Sequence, residues 1–176
     1  MRRRDIAIGI GLGALGGGTI LRAVADDRPD PTRLQNEDDM TSKTIEEWKR
    51  ILPRERFEIL FREKTEPAGS SPLDDEKRDG TYICAACYQP LFSSDDKFDS
   101  GTGWPSFTRP ISDEAIDTRK DFKLIWPRTE YHCSNCGGHQ GHVFDDGPEP
   151  TGQRWCNNGL ALEFVAEGEE LPELRA

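Results

Sequence analysis

Two C-x2-C pairs, Cys84-Ala85-Ala86-Cys87 and Cys133-Ser134-Asn135-Cys136, constrain this chain more than any other feature. A tight turn carrying two cysteines presents two thiolates to one cation. Two such turns build the four-thiolate tetrahedron that Zn2+ prefers. One structural zinc per chain is therefore expected on Cys84, Cys87, Cys133 and Cys136, in a closed shell that keeps no position open for catalysis. The interval between the pairs exceeds that of a compact zinc ribbon, so a folded segment is inserted between the two knuckles. Two other readings stand beside this one. A pair of disulfides suits an oxidising compartment. A redox C-x-x-C is the other, although no βαβ pattern surrounds either pair and such a motif needs no duplicate. His139 and His142 extend Cys133 and Cys136 at three-residue intervals and offer a site of two cysteines and two histidines. That arrangement would orphan the first cysteine pair, so the histidines are kept for chemistry; their ordinary role is core packing.

The chain has 5 cysteines, so one is left over. Cys156 sits in Arg154-Trp155-Cys156-Asn157-Asn158, on or beside an expected strand. A thiol with a cation nearby and two histidines within reach of the fold is a candidate thiolate nucleophile. An inert buried cysteine is the commoner fate of a lone thiol. The polar neighbours Asn157 and Asn158 argue against deep burial.

The 176 residues divide into segments of different character. Met1-Arg2-Arg3-Arg4, an apolar stretch from Ile6 to Leu21 containing six glycines, and Ala23-Val24-Ala25 follow the order of a secretory signal. The consecutive arginines and glycine-rich middle resemble a twin-arginine signal, which implies the twin-arginine export machinery as a partner and a bacterial periplasmic destination. The alternative is a membrane anchor facing the periplasm, but sixteen helical residues span about 24 Å against a hydrocarbon core of about 30 Å. Cleavage after Ala25 would remove four arginines and one aspartate, taking the net charge from −10 to −13. Residues 26–43 read as a flexible acidic linker. Thr44-Ile45-Glu46-Glu47 is a capping box, and Ile45, Trp48 and Leu52 follow at helical spacing until Pro53. A second helix carries Phe57, Leu60 and Phe61 on one face.

From Thr81 onward the runs are short and bounded by Gly, Pro, Asp and Ser. Strands are expected at Thr81–Cys84, Phe122–Trp126, Glu130–Cys133, Gly141–Phe144, Gln153–Cys156 and Leu160–Val165. The fold expected is mainly β, two small antiparallel sheets forming a barrel-like body with N-terminal helices. The working domain spans 44–166, and 167–176 is a C-terminal tail. With 33 acidic against 23 basic residues, the charge opposes nucleic-acid binding.

Three longer motifs surround the cysteine pairs. They are Phe98-Asp99-Ser100-Gly101-Thr102-Gly103-Trp104-Pro105-Ser106-Phe107, Gly138-His139-Gln140-Gly141-His142-Val143-Phe144-Asp145-Asp146-Gly147-Pro148, and Arg154-Trp155-Cys156-Asn157-Asn158. Together with the lead-in around Trp48 and Phe57–Glu66, these resemble the B-type methionine sulfoxide reductases over about Thr44 to Val165. The resemblance implies two antiparallel sheets with a four-cysteine zinc. It also implies reduction of the R epimer of methionine sulfoxide, in oxidised proteins or free.

The residues suit that chemistry. Cys156 as thiolate would attack the sulfoxide sulfur and end as a sulfenic acid. His139 or His142 would protonate the sulfoxide oxygen. Asn158 would orient the site. Trp104 would offer an apolar face to the substrate methyl group, with Phe107 beside it, and Arg154 would steady the thiolate. Many family members carry a resolving cysteine where this chain has Thr102. A one-cysteine type is therefore expected, regenerated by an external thiol or dithiol such as a thioredoxin-like protein. The family also usually has an apolar residue at Asn157 and a serine at Gly159. Competing classes are a zinc-ribbon binding module, which leaves Trp104, His139, His142 and Cys156 unexplained, and a zinc hydrolase or deaminase, which requires an open metal site.

Overall fold

The computed structural model describes residues 43–121 and 128–175. The expected export signal, the linker up to residue 42 and the strand expected at Phe122–Trp126 lie outside the described residues. Two helices lead in, α1 (Ile45–Ile51) and α2 (Arg54–Arg62). The capping box forms as expected: Thr44 accepts the Glu47 N–H, and the Glu47 carboxylate accepts the Thr44 N–H at 2.8 Å. Pro53 ends the first helix and serves as the cap of the second. Trp48 is fully buried and stacks on Phe61 at 5.7 Å between ring centres. Among the described residues no helix is long and apolar enough to cross a membrane.

Among the described residues nine strands follow: β1 (Gly80–Cys84), β2 (Pro90–Ser93), β3 (Lys97–Phe98), β4 (Ser106–Phe107), β5 (Ile116–Asp121), β6 (Arg128–Cys133), β7 (His139–Phe144), β8 (Arg154–Asn157) and β9 (Leu162–Ala166). They make two antiparallel sheets, a small one of order β2-β1-β9 and a larger one of order β3-β4-β8-β7-β6-β5. The expected run Leu160–Val165 is split, with a 3-10 turn over Gly159–Ala161 before β9 begins.

Side chains alternate across a strand, so neighbouring residues face opposite ways. On one face of the larger sheet Phe107, Trp155 and Tyr131 meet Tyr82 and Phe92 of the smaller sheet. Phe92 and Phe107 stack at 4.3 Å, Tyr82 meets Phe107 edge-on at 4.9 Å, and Tyr131 meets Trp155 at 5.0 Å. This aromatic layer is the core that joins the sheets. Phe107, expected beside the substrate, is fully buried in this layer. Its neighbour Ser106 is the residue paired with Cys156, and alternation sends Phe107 to the opposite face.

Glu66 fastens the lead-in to the loop after β8. Its buried carboxylate accepts the N–H groups of Gly159 at 2.6 Å and Leu160 at 2.9 Å, and its own N–H donates to Asn158 Oδ1 at 3.1 Å. Burial raises the Glu66 carboxyl above its usual range, and those two amides oppose the shift. Glycine at 159 is required by this packing: a Cβ there would lie 1.9 Å from Ser71 Oγ. Glu66→Ala would leave both amides buried without an acceptor, and is expected to destabilise the fold by about 2–4 kcal/mol. Chemical denaturation read by tryptophan fluorescence measures it, and a change below about 1 kcal/mol would refute the fastening role.

Candidate active site and metal cluster

The two knuckles are built alike. Cys84 ends β1 and Cys133 ends β6. In each, the residue four positions on returns its N–H to the first cysteine's carbonyl, Tyr88 to Cys84 at 2.8 Å and Gly137 to Cys133 at 2.9 Å. Both return residues are left-handed, Tyr88 at φ 68° and Gly137 at φ 69°, a conformation that costs glycine least. The first knuckle is also capped from the C-terminal tail. Arg175 donates its N–H to the Cys87 carbonyl at 2.9 Å and lays its guanidinium over Tyr88 at 4.1 Å.

All four knuckle sulfurs converge, with Cys84 and Cys136 at 3.7 Å and Cys87 and Cys133 at 3.5 Å. No disulfide joins any cysteine. At metal–sulfur bonds of about 2.3 Å, tetrahedral sulfurs lie about 3.8 Å apart, so the cluster fits a zinc-sized cation. Burial pushes the Cys84 thiol up, while hydrogen bonding from Cys133 pulls Cys87 down. Four donors from the protein complete the shell, which is the arrangement of a structural rather than a reactive metal.

The other face of the larger sheet carries Cys156. The cross-strand register sets Ser106, Cys156, His142, Glu130 and Arg119 in one row across five strands. His142 is the direct partner of Cys156 on β7. A cleft of about 110 Å³ opens here, lined by Cys156, His142, Asn158, Trp104, Phe144 and Arg128, among others. Other hollows are larger, such as one of about 490 Å³ along β1 and β9, but they hold none of the candidate residues.

The cleft residues are held from behind. Trp104 donates its indole N–H to the Glu66 carbonyl at 3.1 Å. Asn158 is fixed at both ends of its amide: Oδ1 accepts from Glu66, and Nδ2 donates to the Gln140 carbonyl at 3.0 Å. Arg154 makes a bidentate pair with Asp146 at 2.8 and 2.9 Å and covers the Phe144 ring at 4.3 Å. His142 Nε2 lies 3.0 Å from Asp121 Oδ2, which also accepts from Arg128 at 2.8 Å. His139 is buried behind His142, 5.6 Å between ring centres, and lies outside the cleft lining.

Burial raises the Cys156 thiol above its ordinary 9.0. The Arg154 charge and hydrogen bonds from Thr102 and Arg154 pull the other way. Thr102 thus stands against the Cys156 sulfur, and its hydroxyl is shared with Ser100 at 2.8 Å. Burial lowers both histidines, His139 to about 4, so both are neutral at pH 7.

His139 and His142 share a face for a reason the H-x2-H spacing does not reveal. In the β6–β7 ladder Tyr131 pairs with Gly141 but His132 pairs with His139. Gln140 is the extra residue of a bulge, which restores an odd spacing to the same side. Glu130, Asp121, Arg128 and Glu66 were not singled out in the sequence. They are buried or half-buried charges whose partners lie on other strands or loops, Asp121 with Arg128, Glu130 with His139 and Glu66 with Gly159. His132 was also passed over, though its i, i+2 spacing from Glu130 on an expected strand was a visible signal.

Asn157, also in the cleft lining, is fully buried, and neither its Oδ1 nor its Nδ2 finds a hydrogen-bond partner. Asn157→Val is expected to raise stability by about 1–2 kcal/mol, because it removes a buried unpaired amide from a strand that favours β-branched residues. A thermal midpoint unchanged or lowered would contradict this.

A SelR domain model matches residues 52–166. The chain is 49% identical over 126 residues to "Peptide methionine sulfoxide reductase MsrB" of Leptospira interrogans serogroup Icterohaemorrhagiae serovar Lai, covering 72% of this chain and 96% of that protein. It is 49% identical over 127 residues to the protein of the same name from Methanosarcina barkeri, covering 72% and 89%. With that of Saccharophagus degradans it shares 45% over 132 residues, covering 75% and 98%. The chain belongs to the SelR-domain family and, within it, to the MsrB-type peptide methionine sulfoxide reductases, which are oxidoreductases.

Proposed function

We propose that this protein reduces the R epimer of methionine sulfoxide in oxidised proteins to methionine, with Cys156 as its nucleophile. The observation that carries this is the direct pairing of Cys156 with His142 in a small cleft walled by Trp104 and Phe144. Those aromatic walls suit a methyl thioether, and the polar floor suits a sulfoxide oxygen. Neutral His142 takes the Cys156 proton and passes it to that oxygen as the thiolate attacks sulfur. The oxygen ends on Cys156, so thiol plus sulfoxide becomes sulfenic acid plus thioether, with atoms and electrons balanced. Asn158 and His139 act from behind, orienting the residues that touch substrate.

Thr102 supplies a hydroxyl where a resolving thiol would act, so the sulfenic acid waits for an external thiol or a thioredoxin-like dithiol. Two thiols return Cys156 to its reduced form, releasing water and a disulfide. The four-cysteine cluster holds a structural zinc and takes no part in the chemistry. Residues 1–25 direct export to a periplasm through the twin-arginine route; Arg2-Arg3-Arg4 and Ala23-Val24-Ala25 support this. Sequencing the N-terminus of the protein from fractionated cells tests it.

The direct test of function is an epimer-resolved assay of methionine sulfoxide peptides with dithiothreitol. Turnover of the S epimer alone would defeat the proposal. The raised Cys156 thiol adds a pH signature. Because the proton taken from Cys156 is the one delivered to the sulfoxide oxygen, the active form keeps that proton, and kcat/KM is expected to fall once the pH rises past the raised Cys156 thiol, above about pH 9. Arg154→Ala removes a charge that favours the thiolate, so its profile is displaced to higher pH. A flat wild-type profile would contradict the thiolate step.

A further inference from the structure

We propose that Glu130, His132 and His139 form a second metal site, for one divalent cation of the zinc class, separate from the four-cysteine cluster.

Three donor atoms converge there: Glu130 Oε1, His132 Nε2 and His139 Nδ1, all within 4.8 Å of one another. Glu130 Oε1 is 2.6 Å from His139 Nδ1 and 3.3 Å from His132 Nε2. Donors bound at about 2.0–2.2 Å in a tetrahedron lie about 3.4 Å apart, so small side-chain adjustments suffice to enclose one ion. All three residues are more than nine-tenths buried, at 2%, 8% and 1% exposure. Each of the three atoms is cut off from solvent, and their polar neighbours are one another. Three buried donor atoms that face one another at a single point share one explanation in a cation.

The sheet imposes this convergence. Glu130 and His132 are two apart on β6, and the bulge at Gln140 sets His139 directly across from His132. Arg119 donates to Glu130 Oε2 at 3.0 Å and also pairs with Glu63. That contact occupies the outer oxygen and leaves Oε1 turned toward the two imidazoles. Glu63, Glu130 and Asp121 face Arg119 and Arg128, three carboxylates against two guanidinium groups, which leaves one negative charge in favour of a cation. Two imidazoles and one carboxylate are borderline ligands, matched to Zn2+ and its relatives rather than to Ca2+ or Mg2+. The donors belong to a rigid ladder, and His132 is the most exposed of them, which makes it the point of entry. His139 also reaches the cleft wall, with Nε2 3.5 Å from Asn158 Nδ2, so occupancy is felt beside Cys156.

The test uses tag-free protein already carrying one zinc per chain on its cysteines, titrated with Zn2+ or Co2+ and followed by calorimetry and absorption. A second equivalent is expected to bind. With Co2+ it should show weak d–d bands and no added thiolate-to-cobalt charge transfer. Cys156→Ser should bind it as wild type does. His132→Phe and Glu130→Gln should weaken it by at least about 100-fold while the first equivalent is kept. His132→Gln, at the accessible edge, gives the same reading should the larger replacement disturb folding. Stoichiometry fixed at one, a second equivalent with thiolate charge transfer, or unchanged binding in folded His132 variants would each overturn the proposal. These outcomes are independent of reductase activity, which can fail or succeed without altering them.

Discussion

Cys156→Ser is expected to lower reduction of R-methionine sulfoxide by at least about 10³-fold, with the protein still folded. A hydroxyl lacks the nucleophilicity of a thiolate toward sulfur and cannot carry oxygen away as a sulfenic acid. Cys156 is only partly buried and lies outside the aromatic layer, so the smaller serine leaves that packing intact. Turnover with dithiothreitol, together with the thermal midpoint, separates lost chemistry from lost structure. Retained turnover in a folded variant would remove the sulfur from the mechanism. Thr102→Cys is the companion experiment. Thr102 contacts the reactive sulfur, so a thiol there should trap the oxidised enzyme as a disulfide, two hydrogens lighter by mass spectrometry. Wild type treated with one equivalent of substrate should instead gain one oxygen.

Withdrawing the metal from the four-cysteine cluster is expected to unfold the protein. The knuckles end β1 and β6, which belong to different sheets, so a cation held by the four cysteines would tie the sheets together at one edge. Structural zinc at such sites carries an apparent free energy of about 10–16 kcal/mol, comparable to or larger than the about 5–15 kcal/mol by which a whole domain is stable. Cys84, Cys87 and Cys133 are fully buried, so four thiols left without a cation would sit in the core with poor partners. Prolonged chelation, or Cys87→Ser, should abolish the cooperative thermal transition and release one zinc per chain. A chelated protein that keeps its transition would refute the structural role.

Much of this architecture is visible in the residues, and the remainder is hidden for physical reasons. The capping box at Thr44 and the punctuation at Pro53 are local, and local signals survive in a single sequence. β6, β7 and β8 stand out because each carries β-favouring aromatic or branched residues, Tyr131, Val143-Phe144 and Trp155, in a short run closed by turn residues. β5, Ile-Asp-Thr-Arg-Lys-Asp, does not: it is the edge strand, buried only at its ends, and its exposed middle erases the alternation. β2 begins at a proline and β4 has two residues, too short for any pattern. Cys156, His142, Trp104 and Asn158 were nominated by chemistry and do share one cleft. Phe107 was nominated by its place in a motif, but strand alternation returned it to the core. Glu66, Asp121 and Glu130 are acidic residues among 33 in the chain, and only tertiary pairing distinguishes them.

The order of strands has a consequence for how the molecule is made. β8 lies between β4 and β7, and β9 completes the smaller sheet against β1, so the last two strands synthesised finish both ladders. A nascent chain that has emerged only as far as residue 150 already carries both cysteine pairs. It presents β4 and β7 as open edges around an empty slot, the geometry that invites pairing with other chains. Cys156, the proposed nucleophile, arrives with the strand that fills that slot. That thiol is therefore added after every other strand of the larger sheet has been made.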